Sequence, residues 1–207
     1  MAFYAQISGV GSYSSVLNVL EKGVLAYLLF HVLVIRPAYL YVLGHECVHV
    51  IATWLCGGKI VSFSVTPSGG SVVTSKTNFF IELSPYFVPI YTILLGPAFL
   101  FLRAAGKGSP FLSVVFVFFV GVTLAFHFVM TSEVIRLRQP DIVRSGLIFS
   151  LILIFICNLV IIMAVFCPLF DDLSFVSFIK SAWINSAEIY RVAYAETIAF
   201  INTHKTW

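Results

Sequence analysis

Four apolar runs, at about 38–56, 83–105, 110–131 and 142–168, constrain this 207-residue chain more than any other feature. Each approaches the roughly twenty residues that cross the hydrocarbon of a bilayer as a helix, which satisfies its own backbone hydrogen bonds where water cannot. A shorter run of 13 residues, Gly23 to Ile35, spans only if Ser14 to Leu20 extend it, and otherwise lies partly in the interface. Composition points the same way: 60% of residues are hydrophobic, 10% are charged and the mean hydropathy is +1.02, against about 25% charged in an ordinary soluble domain. The expected fold is an all-α polytopic membrane protein, a single integral-membrane domain over 1–207 with about four to six transmembrane helices. Its net charge of +3 comes from scattered basic residues, a pattern that carries topology rather than a nucleic-acid footprint.

Turn and break residues divide the runs. Pro37 disfavours helical geometry at Arg36 and suits the first turn of the next helix. Residues 60–65 alternate apolar and polar ahead of Pro67-Ser68-Gly69-Gly70, so a β-hairpin is expected over about 59–77, inserted after the 38–56 helix. In lipid a hairpin must pack on helices or sit at the surface; its free edge can serve as a mere connector or pair with an extended peptide, through Val61, Phe63, Val65 and Val72. Pro85, Pro89 and Gly96-Pro97 are expected to break the 83–105 run, as packing kinks or as a gate. From Asp171 to Thr203 the periodicity is that of an amphipathic helix with Trp183, Tyr190 and Tyr194, read as interfacial or bundle-capping. Cysteines 47, 56, 157 and 167 form no C-x-x-C pair and read as core residues, and no cleavable signal peptide is evident.

Inside the first of the four runs stands His45-Glu46-Cys47-Val48-His49. On a helix, histidines four apart project from nearly one face and can reach a single metal, while Glu46 lies about 100° around the axis. A carboxylate there can take a proton from water and later give it to a leaving amine. In hydrocarbon such residues are costly unless they face a metal, a partner or water. A catalytic zinc site normally has three protein ligands, and the candidates for the third are His31, His127, Glu82, Glu133, Asp141 and His204. Asp141 is the best placed, at the mouth of the last long run, although an aspartate after proline is also an ordinary helix cap. Arg136, Arg138 and Arg144 around it read as topological, and can also keep the carboxylate ionised. His127 and Glu133 are candidates to donate to a developing oxyanion, and His31 reads as structural.

Over residues 38 to 150 the chain resembles the site-2 protease family of intramembrane zinc metalloproteases: an H-E-x-x-H span, a hairpin after it, a span containing Gly96-Pro97, and a later Pro140-Asp141. The resemblance implies one Zn2+ held by His45, His49 and Asp141, with Glu46 as general base. Two positions depart from the family pattern: Ile142 stands where glycine usually follows the aspartate, and Glu133 where an asparagine usually precedes it. The expected activity is hydrolysis of a peptide bond within or beside the transmembrane segment of a membrane-protein substrate. Two alternatives stand beside it, a non-catalytic metal- or partner-binding membrane protein and a zinc hydrolase of lipid-linked substrates.

If five segments span, Lys22, Lys59, Lys76, Arg136, Arg138 and Arg144 fall on one side, and Arg36, Arg103 and Lys107 on the other. The positive-inside rule then makes the hairpin and Asp141 cytoplasmic, in a multi-pass protein expected in a prokaryotic cytoplasmic membrane. By helix rise, His49 lies roughly 11 Å from the hairpin end of its helix, a depth that water reaches only through a polar inlet.

Overall fold

Ser14 to Leu20 do extend the short N-terminal run, giving helix α1, Tyr13–Leu33, 21 residues long. The computed structural model describes residues 13–34, 36–66, 68–137, 139–170 and 173–204. Pro67 of the expected turn, Arg138, the first residues of the expected C-terminal segment and the side chain of His204 lie outside the described residues. The chain is 78% helical, with one two-stranded antiparallel sheet among the described residues.

Helix α2, Ala38–Leu55, starts just after Pro37 as the break at Arg36-Pro37 requires, and carries the H-E-x-x-H residues. Strands β1, Ile60–Thr66, and β2, Gly69–Thr74, form the hairpin. Thr66 faces Gly69, so Gly69-Gly70 belong to β2 rather than to the turn. The expected 83–105 span is not continuous. Helix α3, Phe79–Leu83, capped by the Asn78 side chain, runs into a 3-10 turn at Ser84–Tyr86, and helix α4, Ile90–Leu102, begins only after Pro89. Pro85 and Pro89 are the cause, since neither offers an N–H and each restricts the residue before it. The expected interruption at Gly96-Pro97 does not occur: α4 runs through Pro97, and nothing approaches the open face of Gly96. The backbone turns instead at Gly106, whose φ of 75° suits glycine. Helix α5, Pro110–Arg136, is the longest of the core, and the expected 142–168 span divides at Gly146 (φ 88°) into α6, Pro140–Arg144, and α7, Leu147–Phe166. Helix α8, Phe175–His204, occupies the C-terminal segment and is largely exposed.

Among the described residues, four helical stretches are long and apolar enough to cross a membrane: Ser14–Leu33, Ile90–Lys107, Pro110–Arg136 and Leu147–Phe166. Helix α2, expected among the spans, is not one of them, because His45, Glu46 and His49 dilute its hydropathy.

The directions of the four follow from who touches whom. Gly23 of α1 meets Phe118 and Val122 of α5, Gly121 meets Leu20 and Val24, Tyr27 packs on Phe126 (ring centroids 5.6 Å apart) and His31 reaches Glu133 at 3.3 Å. Residue numbers rise together, so α1 and α5 are parallel. Helix α4 opposes them, with Thr92 donating to Thr123 at 2.9 Å and Phe99 stacked on Phe116 at 4.4 Å. Helix α7 does too: Ile154 packs near the end of α5, while Leu169 and Phe170, just beyond α7, pack with Val16 and Val117. Residues 34 to 89, with α2, the hairpin and α3, therefore leave the bundle and return from the same end, and α4 starts part-way down α5.

That geometry overturns the expected division of charges. Arg36 lies 3.6 Å from Glu133, so it belongs to the same end as Arg136, not to the end of Arg103 and Lys107. Lys22 falls in the middle of α1 rather than at an end.

Two glycines let α1 and α5 approach backbone to backbone. A Cβ at Gly121 would collide with the Leu20 carbonyl oxygen, and one at Gly23 with that of Phe118. Backbone cannot step aside as a flexible side chain can. Gly121→Leu is therefore expected to destabilise the fold by roughly 3 kcal/mol or more, read as a lowered unfolding midpoint in detergent.

Candidate metal centre

Helix α2 sets His45 and His49 on one face, with ring centroids 4.8 Å apart. The third donor arrives from α6. Ile142, with no exposed surface, packs among Leu83, Tyr86 and Ile154, and its carbonyl accepts from Ser150 at 3.0 Å. Ile142 thus anchors the turn that carries Asp141. Asp141 Oδ2 lies 3.8 Å from His45 Nε2 and 3.6 Å from His49 Nε2, and the three ligand atoms all fall within 4.8 Å of one another. Donors about 2.0–2.2 Å from a tetrahedral ion stand roughly 3.3–3.5 Å apart, so both Asp141 distances fit to within a few tenths of an ångström, while the two imidazole nitrogens must close from the 4.8 Å limit of the set by about an ångström. The two imidazoles and one carboxylate can hold a metal ion.

Outer contacts orient the donors. His49 Nδ1 donates to the Ile81 carbonyl at 2.8 Å, which leaves Nε2 free for a metal. Tyr86, fully buried, donates its hydroxyl to Asp141 Oδ2 at 3.3 Å and packs its ring on His45 with centroids 5.0 Å apart. Burial and then the Asp141 charge push the Tyr86 phenol well above its ordinary range. Burial by itself would raise the Asp141 carboxyl, but His45 and His49 outweigh it by hydrogen bonding and charge, and hold the group well below the carboxylate range. It is ionised at neutral pH, as coordination requires.

Glu46 is 6% exposed and borders the same cleft, which has a volume of about 500 Å³. Strand β2 from Gly70 to Thr74 forms one wall, and Glu82, Gln139 and Arg144 line the rest. At Gly70 the strand backbone lies against the carboxylate: a Cβ there would stand 2.7 Å from Glu46 Oε1. Any larger residue must push the carboxylate or the strand away. Gly70→Val is expected to bind metal normally yet to lose at least about tenfold in a Glu46-dependent activity, with the two measured side by side on one preparation.

Of the residues proposed to contact a peptide, Val72 lines the cleft, whereas Phe63 lies in a separate groove with Cys47 and Trp54. Val61 is 70% exposed, and Val65 sits across from Gly70 on β1, away from the cleft lining. Glu133 is occupied by His31 and Arg36 and stands apart from the cleft. Glu82 lines the cleft but accepts from Ser145 at 2.6 Å and from Thr77 at 3.2 Å. His127 lies on the far side of His45, in a small cavity rather than in the cleft. All four cysteines are free. Tyr86, Gly70 and the Ile81 carbonyl went unnoticed in the sequence. Only Gly69-Gly70 carried a signal, since paired glycines inside a strand mark close backbone approach.

No family model matches the chain, and neither a curated protein nor a solved structure does so.

Proposed function

We propose that the chain is an intramembrane zinc metalloprotease of the site-2 protease type, which cuts a single-pass membrane protein within or beside its transmembrane segment. The observation that carries this reading is the buried carboxylate of Glu46, set beside the His45, His49 and Asp141 donors in a polar cleft of a chain built mainly of apolar helices. A metal store has no use for a carboxylate in that place. His45, His49 and Asp141 are the residues that hold the zinc. Bound there, it supplies a Lewis acid that makes water a nucleophile at neutral pH and polarises a carbonyl.

The chain's own residues do the rest. Glu46 accepts the proton of the attacking water and returns it to the amide nitrogen as the C–N bond breaks, so the base becomes the acid of the second step. Tyr86 keeps Asp141 turned toward the histidines. Strand β2 closes the cleft beside Glu46, and Val72 on it faces the space where an unwound substrate segment fits. A peptide helix cannot be cut while its amides are bonded four residues apart, and a strand edge replaces the bonds it surrenders.

The orientation rests on the corrected count of charges. Arg36, Arg136 and Arg144 stand at the end of the bundle that holds the site, against Arg103 and Lys107 at the other. The positive-inside rule makes the site cytoplasmic.

The test is cleavage in vesicles of defined lipid, using the purified chain and a panel of single-pass substrates. A cut near the cytoplasmic end of the substrate segment, abolished by a chelator and restored by zinc, is the expected result. A chain that binds zinc stoichiometrically and cuts none of the panel overturns the protease reading.

A further inference from the structure

His49 and His45 differ in one respect that metal chemistry makes important. A histidine that binds a metal through one ring nitrogen almost always donates the other N–H to an acceptor, which fixes the tautomer and ring orientation. His49 has such an acceptor in the Ile81 carbonyl. His45 has none among the described residues: its Nδ1 is buried without a hydrogen-bond partner.

One other buried ring nitrogen is in the same condition, Nε2 of His127, on α5. The two histidines line one cavity of about 10 Å³, walled by Tyr41, Gly44, Val88 and Phe126. That is close to the smallest space that holds a single water, and such waters bridge buried polar groups that lack partners. His127 is itself 7% exposed and lies against Asn158, whose Nδ2 donates to the carbonyls of Tyr86 and Ile154 at 3.1 and 2.9 Å. The His127 ring therefore lies beside a side chain that is fixed to the backbone carrying Tyr86 and whose Oδ1 is itself buried without a partner.

We propose that His127 is the positioning residue of the metal ligand His45, acting through one buried water that accepts from His45 Nδ1–H and donates to His127 Nε2. The chain of contacts fixes His45 with its proton on Nδ1 and its lone pair on Nε2, the atom that faces Asp141. His127 touches neither substrate nor metal. The cluster of His127, Asn158 and Tyr86 then joins the two sides of the site, because Tyr86 orients Asp141 while His127 orients His45.

The inference rests on the reading of His45 as a metal ligand, and its test separates the two. Zinc affinity is measured by chelator competition for the parent chain, His127→Leu and His127→Gln, together with the unfolding midpoint of each metal-free protein. His127→Leu keeps about the same bulk and removes the acceptor; it is expected to bind zinc roughly 10–100-fold more weakly, as outer-shell changes do. His127→Gln keeps an acceptor and is expected to recover most of that loss. Zinc affinity of His127→Leu within about twofold of the parent, or no recovery by His127→Gln while both are folded, overturns the proposal. If the leucine variant fails to fold, nitrogen spectra of the histidine-labelled, zinc-loaded parent decide. The expected pattern is a slowly exchanging proton on His45 Nδ1 and an unprotonated Nε2 on His127; a proton on His127 Nε2 overturns it. A parent chain that takes up no zinc overturns the metal reading itself, and this inference with it.

Discussion

Glu46→Gln is expected to bind zinc as the parent chain does and to cut substrate at least about a hundredfold, and up to about ten-thousandfold, more slowly, the range that positioned acid–base groups contribute. The amide keeps the shape of a side chain that is 6% exposed, so the helix and the strand packed on it are undisturbed. It cannot accept a proton at neutral pH. Among the described residues of the cleft no substitute base is free: Glu82 is tied to Ser145 and Thr77, and Asp141 is committed to the histidines. The measurement is single-turnover cleavage in vesicles beside metal content of the same preparation. A variant that keeps its zinc and turns over at the parent rate would falsify Glu46 as the base.

Removal of a donor should act on the metal itself. His45→Ala and His49→Ala are each expected to lose zinc affinity by more than about a hundredfold, beyond what outer-shell changes cost, and with it all cleavage. A cavity is left where an imidazole was, and the ion is left with one imidazole and one carboxylate. Asp141→Ala should weaken binding less, because water can take the place of a carboxylate oxygen more readily than that of an imidazole. It also leaves the Tyr86 hydroxyl buried without its acceptor, so some loss of stability accompanies it. Chelator competition gives the affinities and thermal melts the stabilities. Full zinc retention by Asp141→Ala would move the third donor elsewhere, and Glu82, which lines the same cleft, is one alternative.

What the sequence made legible was what depends on local spacing. Histidines four apart on a helix must share a face, and alternation followed by Pro and Gly must turn back on itself; α2 and the hairpin follow. Lengths read from hydropathy alone fared less well. Pro85 and Pro89 shortened one run from its front, and Gly146 cut another in two, because backbone chemistry overrides apolarity where an N–H is missing or φ turns positive. The direction of α1 could not be read at all. It is set by Gly23 and Gly121 meeting across about a hundred residues of chain, and nothing local to either position marks the match. The same holds for Tyr86, an ordinary aromatic in sequence that acquires its place only when Ile142 and Ile154 pack around it.

The parallel course of α1 and α5 has a consequence for any experiment that maps the chain. With α4 and α7 opposed to them, the start of α1 and the end of α7 come together, as Val16 and Leu169 do in one apolar cluster, at the end of the bundle away from Asp141. Phe170 therefore stands at the end of the bundle where α1 begins, opposite the end where α5 leads into Asp141. Residues 34 to 89 behave as a cassette let into the junction between two crossings. It can be lengthened, trimmed or exchanged without inverting a single helix, since both of its seams open on the same side.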